Sequence, residues 1–252
     1  MLKAILARAQ QGHRTAAYPA TTPPLPERYQ GRPQVDAARC ESGCTRCAEV
    51  CPTRAIRREE SRLVLDLGRC LFCQECVHEC PSGAVEFGRE HAMAARTQSD
   101  LEVSSQAMEL AGALDRKARS LFGHSLKLRQ VSAGGCNGCE VEVNVLNTVV
   151  FDLGRFGIQM VASPRHADGL LITGPVTRNM REALEKTYAA VPAPKLVIAV
   201  GACAISGGPY RDSPQVCNGA DGILPVDLYV PGCPPHPLTI LDGLLRLLGR
   251  IR

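Results

Sequence analysis

The sequence predicts an α/β domain with a parallel sheet over residues 125–252, preceded by a smaller α+β domain over residues 37–90. Three observations carry this. From Ser125 onward, short apolar runs alternate with segments of helical period. Residues 37–90 contain an internal repeat. The 13 cysteines fall into sets that follow those two regions, leaving the flanking segments bare.

Residues 1–36 read as an arm. Met1 to Gln10 is a short basic amphipathic stretch, with Leu2, Ile5, Leu6 and Ala9 on one helical face and Lys3 and Arg8 elsewhere. It lacks the apolar run and small-residue cleavage site of a signal peptide. Tyr18 to Pro26 carries four prolines and is expected to be extended, either across a partner or as a loose terminus.

Within residues 37–90, Cys44, Cys47, Cys51, Pro52, Ala55 and Ile56 recur as Cys73, Cys76, Cys80, Pro81, Ala84 and Val85, each 29 positions later. Arg39-Cys40 recurs as Arg69-Cys70 at 30, because the first copy holds one extra residue. Leu63–Leu65 and Val85–Phe87 are strand candidates. Residues 91–124 form a linker with one expected helix, on the spacing of Ala107, Ala111, Leu114, Ala118 and Leu121. Ser104 or Ser105 would cap it and Gly123 would end it.

Over residues 125–252, strands are expected at 127–131, 158–162, 170–173, 196–201 and 226–230, and helices near 178–190 and 237–250. Val141, Val143 and Val145 alternate like a strand, while Val141, Val145 and Val149 fit a helix. A crossover between parallel strands requires the helix.

Composition bounds the chemistry. A formal charge of +4 without a long basic block gives no footprint for nucleic acid. No run reaches the ~18 apolar residues of a membrane span. An odd number of cysteines cannot all pair, and metal binding explains their spacing better than disulfides.

The second copy of the repeat reads Cys70-x2-Cys73-x2-Cys76-x3-Cys80-Pro81. In such a run three thiolates wrap one cubane iron–sulfur cluster, while the fourth reaches a second cluster. By that rule Cys40, Cys44, Cys47 and Cys80 hold one 4Fe–4S cluster, and Cys70, Cys73, Cys76 and Cys51 hold another. Zinc also accepts thiolates, but its structural sites use separated Cys-x2–4-Cys pairs. The extra residue between Cys40 and Cys44 leaves open a lost ligand and a three-iron cluster, unless Gly43 absorbs it.

Cys136 and Cys139 follow the first expected strand of the α/β domain, Cys203 the fourth and Cys233 the fifth. Ligands of open parallel sheets gather outside the carboxyl ends of the strands, so these four thiols converge as a third 4Fe–4S site. Arg165 falls on the same edge, where a cation would stabilise a reduced cluster; an ordinary surface ion pair is the plain alternative. Cys217 is left over and reads as a free, at least partly buried thiol.

Gly134-Gly135-Cys136-Asn137-Gly138-Cys139-Glu140, Ser163–Asp168, Gly174–Thr177, Gly201–Gly208 and Val226–Pro235 together resemble the small subunit of membrane-associated nickel–iron hydrogenases of the formate hydrogenlyase and hydrogenase-4 type. That subunit is homologous to the B subunit of respiratory complex I. The N-terminal part, with Tyr18-Pro19, Gly31-Arg32-Pro33 and the two cysteine octets, resembles the ferredoxin-like subunit of the same complexes. The chain thus looks like two neighbouring electron-wire subunits fused. The resemblance implies a flavodoxin-like sheet domain behind a two-cluster ferredoxin-like domain, and three 4Fe–4S clusters in all.

It also implies a set of partners. These are a nickel–iron large subunit holding the nickel, a formate dehydrogenase or other electron-donor subunit, and membrane-arm subunits. The expected location is cytoplasmic, peripheral on the inner membrane. Complex I B subunits carry adjacent cysteines where this chain has Cys136-x2-Cys139, as hydrogenases do. That spacing favours hydrogen chemistry over a complex I-like relay to quinone. A zinc scaffold protein is the alternative of another class. By the same resemblance Glu140 helps conduct protons; as a first-turn acid it equally stabilises a helix start. His236 reads as a loop histidine.

Overall fold

In the computed structural model the described residues are 2–12, 14–41, 43–59, 62–105 and 108–251. Met1 and Ala107, which enter the expectations above, lie outside them. The arm opens with α1 (Leu2–Gln11), which buries none of its residues. The Tyr18–Pro26 stretch departs from the expectation. Tyr18–Ala20 form a turn closed by Thr21 N donating to Ala17 O at 3.1 Å. Tyr18 is buried, with its hydroxyl donating to Asp242 at 2.7 Å. The arm therefore lies across its own chain: Ala16 N donates to Val150 O, and Arg89 donates to the carbonyls of Leu25, Pro26 and Glu27.

The repeat folds as two like halves. Strand β1 (Pro33–Val35) precedes the first cysteine octet, helix α2 (Arg46–Val50) and strand β2 (Ile56–Glu59). Strand β3 (Arg62–Asp66) precedes the second octet, α3 (Glu75–His78) and β4 (Val85–Phe87). Strands β1 and β4 pair antiparallel, and β2 pairs antiparallel with β3. The short β5 (Glu102–Val103) adds to β3. Asp36 and Asp66 hold equivalent turns: their carboxylates accept from Ala38 N and Gly68 N, two residues on.

The expected linker helix is shorter than its apolar spacing suggests. Helix α4 runs only Arg116–Phe122, with Asp115 as the cap whose side chain accepts from Ala118 N. Ala111 and Leu114 are buried by other means: Ala111 N donates to Ala94 O and Leu114 N to Leu247 O, so tertiary partners take the bonds a helix would use.

The α/β part is a five-stranded parallel sheet. Its strands are β6 (Leu126–Ser132), β7 (Ile158–Met160), β8 (Gly169–Thr173), β9 (Leu196–Val200) and β10 (Leu228–Val230). Their spatial order is β10-β9-β8-β6-β7, which is the flavodoxin-like order with its switch point between β6 and β8. Every residue of β8 and β9 is buried, as expected for strands covered on both faces. The helices are α5 (Gly138–Val145), α6 (Arg178–Ala190), α7 (Ala202–Ser206) and α8 (Pro237–Leu247). Leu128, Leu171, Ile198 and Val230 pack with Leu241 and Leu244 of α8, while Leu170, Ile172 and Val197 pack with Leu184 of α6. Val143 of α5 and Leu146 just after it are buried, whereas Val141 of α5 and Val149 beyond its end are exposed.

The two parts share a core. Leu67 from the repeat and Leu101 from the linker pack in one cluster with Ala199, Ala204, Ile205 and Tyr229. Ala95 bridges antiparallel to Tyr229, exchanging both backbone hydrogen bonds at 3.0 and 2.9 Å.

Candidate iron–sulfur sites

Each predicted quartet of cysteines is brought together. Burial pushes the Cys47 thiol up, followed by the nearness of Cys40, Cys80 and Cys44. Burial pushes Cys70 up to about 12, with Cys76, Cys51 and Cys73 adding to it. Cys76 is pushed up to about 12 by burial and by Cys51, Cys73 and Cys47. All four thiols of the second quartet also line one small cavity, with Phe87 in its wall.

The internal repeat extends to the bonds made to sulfur. Cys51 Sγ accepts from Ala55 N at 3.2 Å and Cys80 Sγ accepts from Ala84 N at 3.2 Å. Thr53 and Ser82 place hydroxyls 3.8 Å from the same two sulfurs. For Cys80, the Ser82 hydroxyl and the backbone N–H groups of Ala84, Val85 and Ser82 outweigh burial and lower its pKa. These donors favour thiolate over thiol, which metal ligation requires.

The third quartet is assembled from the carboxyl ends of three strands. After β6 the chain runs through Gly134 and Gly135 to Cys136, and Asn137 in the left-handed region starts α5, which carries Cys139. After β9, Gly201 starts α7, which carries Cys203. After β10, Gly232 precedes Cys233. Gly201 N donates to Val230 O at 2.8 Å and Ala202 N to Gly232 O at 2.9 Å, stapling the last two loops together. Gly201 has φ +90°, and a Cβ there would overlap the Cys139 sulfur. Burial raises Cys139, with Cys203, Cys233, Glu140 and Cys136 acting in the same direction. Cys203 is pushed up to about 12 by burial, Cys233, Cys136 and Glu140.

The three quartets are adjacent in order. Cys47 of the first acts on Cys76 of the second. Cys73 of the second acts on Cys233 of the third, whose own pKa is raised chiefly by burial. No spacing in the sequence indicates that Cys73 and Cys233 are electrostatic neighbours. Four soft thiols are the donor set that a 4Fe–4S cluster takes, and each quartet supplies them; the first and second quartets add amide and hydroxyl groups at sulfur. Among the described residues, no three His, Cys, Asp or Glu side chains converge to hold a single metal ion.

Glu140 lies in the first turn of α5 and is 6% exposed. Its Oε1 accepts from Ser132 Oγ at 2.5 Å and from Thr173 Oγ1 at 2.7 Å. These hydroxyls end β6 and β8, so the carboxylate sits at the switch point beside the third quartet. Neither partner was apparent from the motif; their place at the last residues of two neighbouring strands was the available signal. Arg165 is exposed on the turn Pro164–His166 after β7, and makes no ion pair among the described residues. After burial, the groups acting most on Cys139, Cys203 and Cys233 are neighbouring cysteines and Glu140, and Arg165 does not figure among them. Cys217 is half-buried and free, against the α6 side of the sheet. His236 caps α8, with Nδ1 accepting from Leu238 N at 3.1 Å.

Arg58, which no motif marks, touches the first quartet. Its Nη1 lies 3.3 Å from Cys40 Sγ, 3.2 Å from Glu41 O and 3.3 Å from Cys44 O.

Residues 136–247 match the family described as NADH ubiquinone oxidoreductase, 20 Kd subunit, and residues 39–84 match a 4Fe-4S dicluster domain. The chain is 50% identical over 120 residues to formate hydrogenlyase subunit 7 of Escherichia coli, covering 48% of this chain and 47% of that protein. It thus spans about half the length of that relative. It is 45% identical over 130 residues to the probable membrane-bound hydrogenase subunit mbhJ of Pyrococcus furiosus, covering 52% of this chain and 78% of that protein. It is 43% identical over 121 residues to an NADH-quinone oxidoreductase subunit of Heliobacterium modesticaldum, covering 48% of this chain and 69% of that protein.

Proposed function

We infer that this chain, which belongs to the family of the NADH ubiquinone oxidoreductase 20 Kd subunit, relays electrons inside a membrane-associated nickel–iron hydrogenase. It is an electron-relay subunit of an oxidoreductase, with a 4Fe–4S dicluster domain ahead of the family domain. Cys40, Cys44, Cys47 and Cys80 hold the first cluster. Cys51, Cys70, Cys73 and Cys76 hold the second, and Cys136, Cys139, Cys203 and Cys233 the third. Bound there, the clusters supply one-electron carriers that side chains alone do not provide.

The chain's own residues supply the rest. Buried Cys47, Cys70, Cys76 and Cys203 keep water from part of each site. The electrostatic coupling of Cys47 to Cys76, and of Cys73 to Cys233, supports a first-to-second-to-third order of neighbouring sites. At the far end, exposed Cys136, Cys233 and Val141 leave an open face. That face suits a large subunit that holds nickel and performs the chemistry. The first quartet, at the other end, faces an electron donor such as a formate dehydrogenase module. No helix among the described residues is long and apolar enough to cross a membrane. Attachment to the cytoplasmic face of the inner membrane would then run through membrane-arm subunits.

The observation that carries hydrogen over quinone is the Cys136-x2-Cys139 spacing. It is supported by the two hydrogenase relatives. The test is to purify the complex through this chain and measure hydrogen turnover and quinone reduction side by side. Hydrogen turnover, a nickel-bearing partner and about twelve irons per chain are expected, from three four-iron clusters. Quinone reduction without hydrogen turnover refutes the hydrogenase assignment. Zinc with little iron refutes the relay and leaves a scaffold.

A further inference from the structure

We propose that Arg58 is a positioning residue for the first cysteine quartet, clamping its lengthened loop and making the first cluster easier to reduce than the second. The proposal rests on the iron–sulfur reading above. Three observations carry it.

The first copy of the repeat has three residues between Cys40 and Cys44, where the second has two between Cys70 and Cys73. Arg58 spans that longer loop, reaching Glu41 O at its start and Cys44 O at its end. The same nitrogen reaches the Cys40 sulfur at 3.3 Å. In the second copy, Cys70 Sγ accepts from the backbone N of Phe72 at 3.3 Å. Thus the sulfur at the repeat's first position meets a guanidinium in one copy and a neutral amide in the other.

The residue 29 positions after Arg58 is Phe87. Phe87 lines the second quartet's cavity and packs edge-on against Phe72, with ring centroids 5.8 Å apart. One copy therefore presents a cation where the other presents an apolar wall. Among the described residues, Arg58 forms no ion pair with a carboxylate, so its charge is not spent elsewhere. Its neighbour Arg57, by contrast, is paired with Glu59 and Glu102.

A reduced cluster carries one more negative charge than an oxidised one. Hydrogen bonds to sulfur and a nearby cation stabilise it, and both raise the potential. Guanidinium is suited to the task, because its planar fork is always charged and serves several acceptors at once.

The test is redox titration of the purified holo-complex, followed by electron paramagnetic resonance. The first-quartet signal is assigned as the one missing in Cys44→Ala. In the wild type that signal should develop at a higher potential than the second-quartet signal. In Arg58→Met its reduction equilibrium should fall about tenfold, which is about 59 mV for a one-electron couple. The second-quartet signal should stay in place. Arg58→Gln, which keeps a donor without the charge, should fall between the two. An intact first cluster with an unmoved potential in Arg58→Met overturns the proposal. If Arg58→Met loads no first cluster, Arg58→Gln decides by the same criterion, and loss in both variants refutes the tuning role. A wild type without iron–sulfur signals defeats the relay reading itself, a result separate from these.

Discussion

Gly201→Ala tests the third site through backbone geometry, without touching a cysteine. Gly201 has φ +90° and ψ 155°, a region occupied almost only by glycine. Alanine there costs about 1–3 kcal/mol in strain. The new methyl would also overlap Cys139 Sγ, with Gly232 O 3.5 Å away on another side. The strain and the steric clash cannot both be relieved with Cys139 in place, because the two staples from Gly201 N and Ala202 N hold the loop. A metal site tolerates only about 0.5 Å of misplacement, so the third cluster should fail to assemble. Iron content is expected to drop from about twelve to about eight atoms per chain, counting four irons per cluster. The two signals of the ferredoxin-like pair should survive in the reduced resonance spectrum. Gly222→Ala serves as control, since nothing lies within 4 Å of a Cβ at that position. A Gly201→Ala protein with full iron content and an unaltered third signal would refute the reasoning about close approach.

Four further outcomes are expected. Cys203→Ala should remove only the third cluster, read by iron analysis and resonance; loss of all three signals would show that the shared core couples the sites. Cys217→Ser should leave iron content unchanged, since that thiol stands apart from the quartets. Tyr18→Phe removes a 2.7 Å hydrogen bond to Asp242, which is 2% exposed. The loss should cost about 1.5–3 kcal/mol in denaturant unfolding, the range for bonds to charged groups. Finally, burial and nearby His91 hold His236 down to about 4. Its unfolded form titrates near 6.5 and so binds more protons between those values. Stability from His236 is thus full above about pH 6.5 and lost as pH falls toward 4, with a slope of at most about 1.4 kcal/mol per pH unit. His236→Asn should flatten that part of the stability profile relative to wild type.

Much of the fold was legible because its strands are uniform. Leu170–Thr173 and Leu196–Val200 are apolar on both faces, so a buried parallel sheet follows from the run itself. The repeat was legible because cysteine, proline and alanine recur in register. The linker was misleading because Ala111 and Leu114 are buried by Ala94 and Leu247, not by a helix of their own, and helical spacing does not distinguish the two. The arm was misjudged for a related reason. Prolines predicted an extended strap, but the strap is held to its own chain at points far apart in sequence, among them Tyr18, whose partner Asp242 lies 224 positions away, and the Leu25–Glu27 carbonyls, which Arg89 binds. The same limit hides Arg58 at the Cys40 sulfur and the coupling of Cys73 to Cys233: both are products of packing between segments, and no period encodes them.

The packing also explains why fusion of two electron-wire segments amounts to more than a tether. Interfaces between domains allow relative motion unless they are apolar and well packed. Here helix α7, which carries Cys203, is gripped from the repeat side. Ile205 packs with Leu67 and Leu101, Ser206 Oγ donates to Gly68 O at 2.8 Å, and Gln98 Nε2 donates to Ile205 O. Ala95 adds a strand-like bridge to Tyr229, next to the end of β10 that leads to Cys233. The repeat and the linker after it thus hold the helix that carries Cys203 and the strand that leads to Cys233. Cys73 lies five residues after Gly68, in the same loop. The spacing between second and third sites is therefore set by a shared core, so a substitution in that core, such as Ile205→Ala, acts on the relay without touching any thiol.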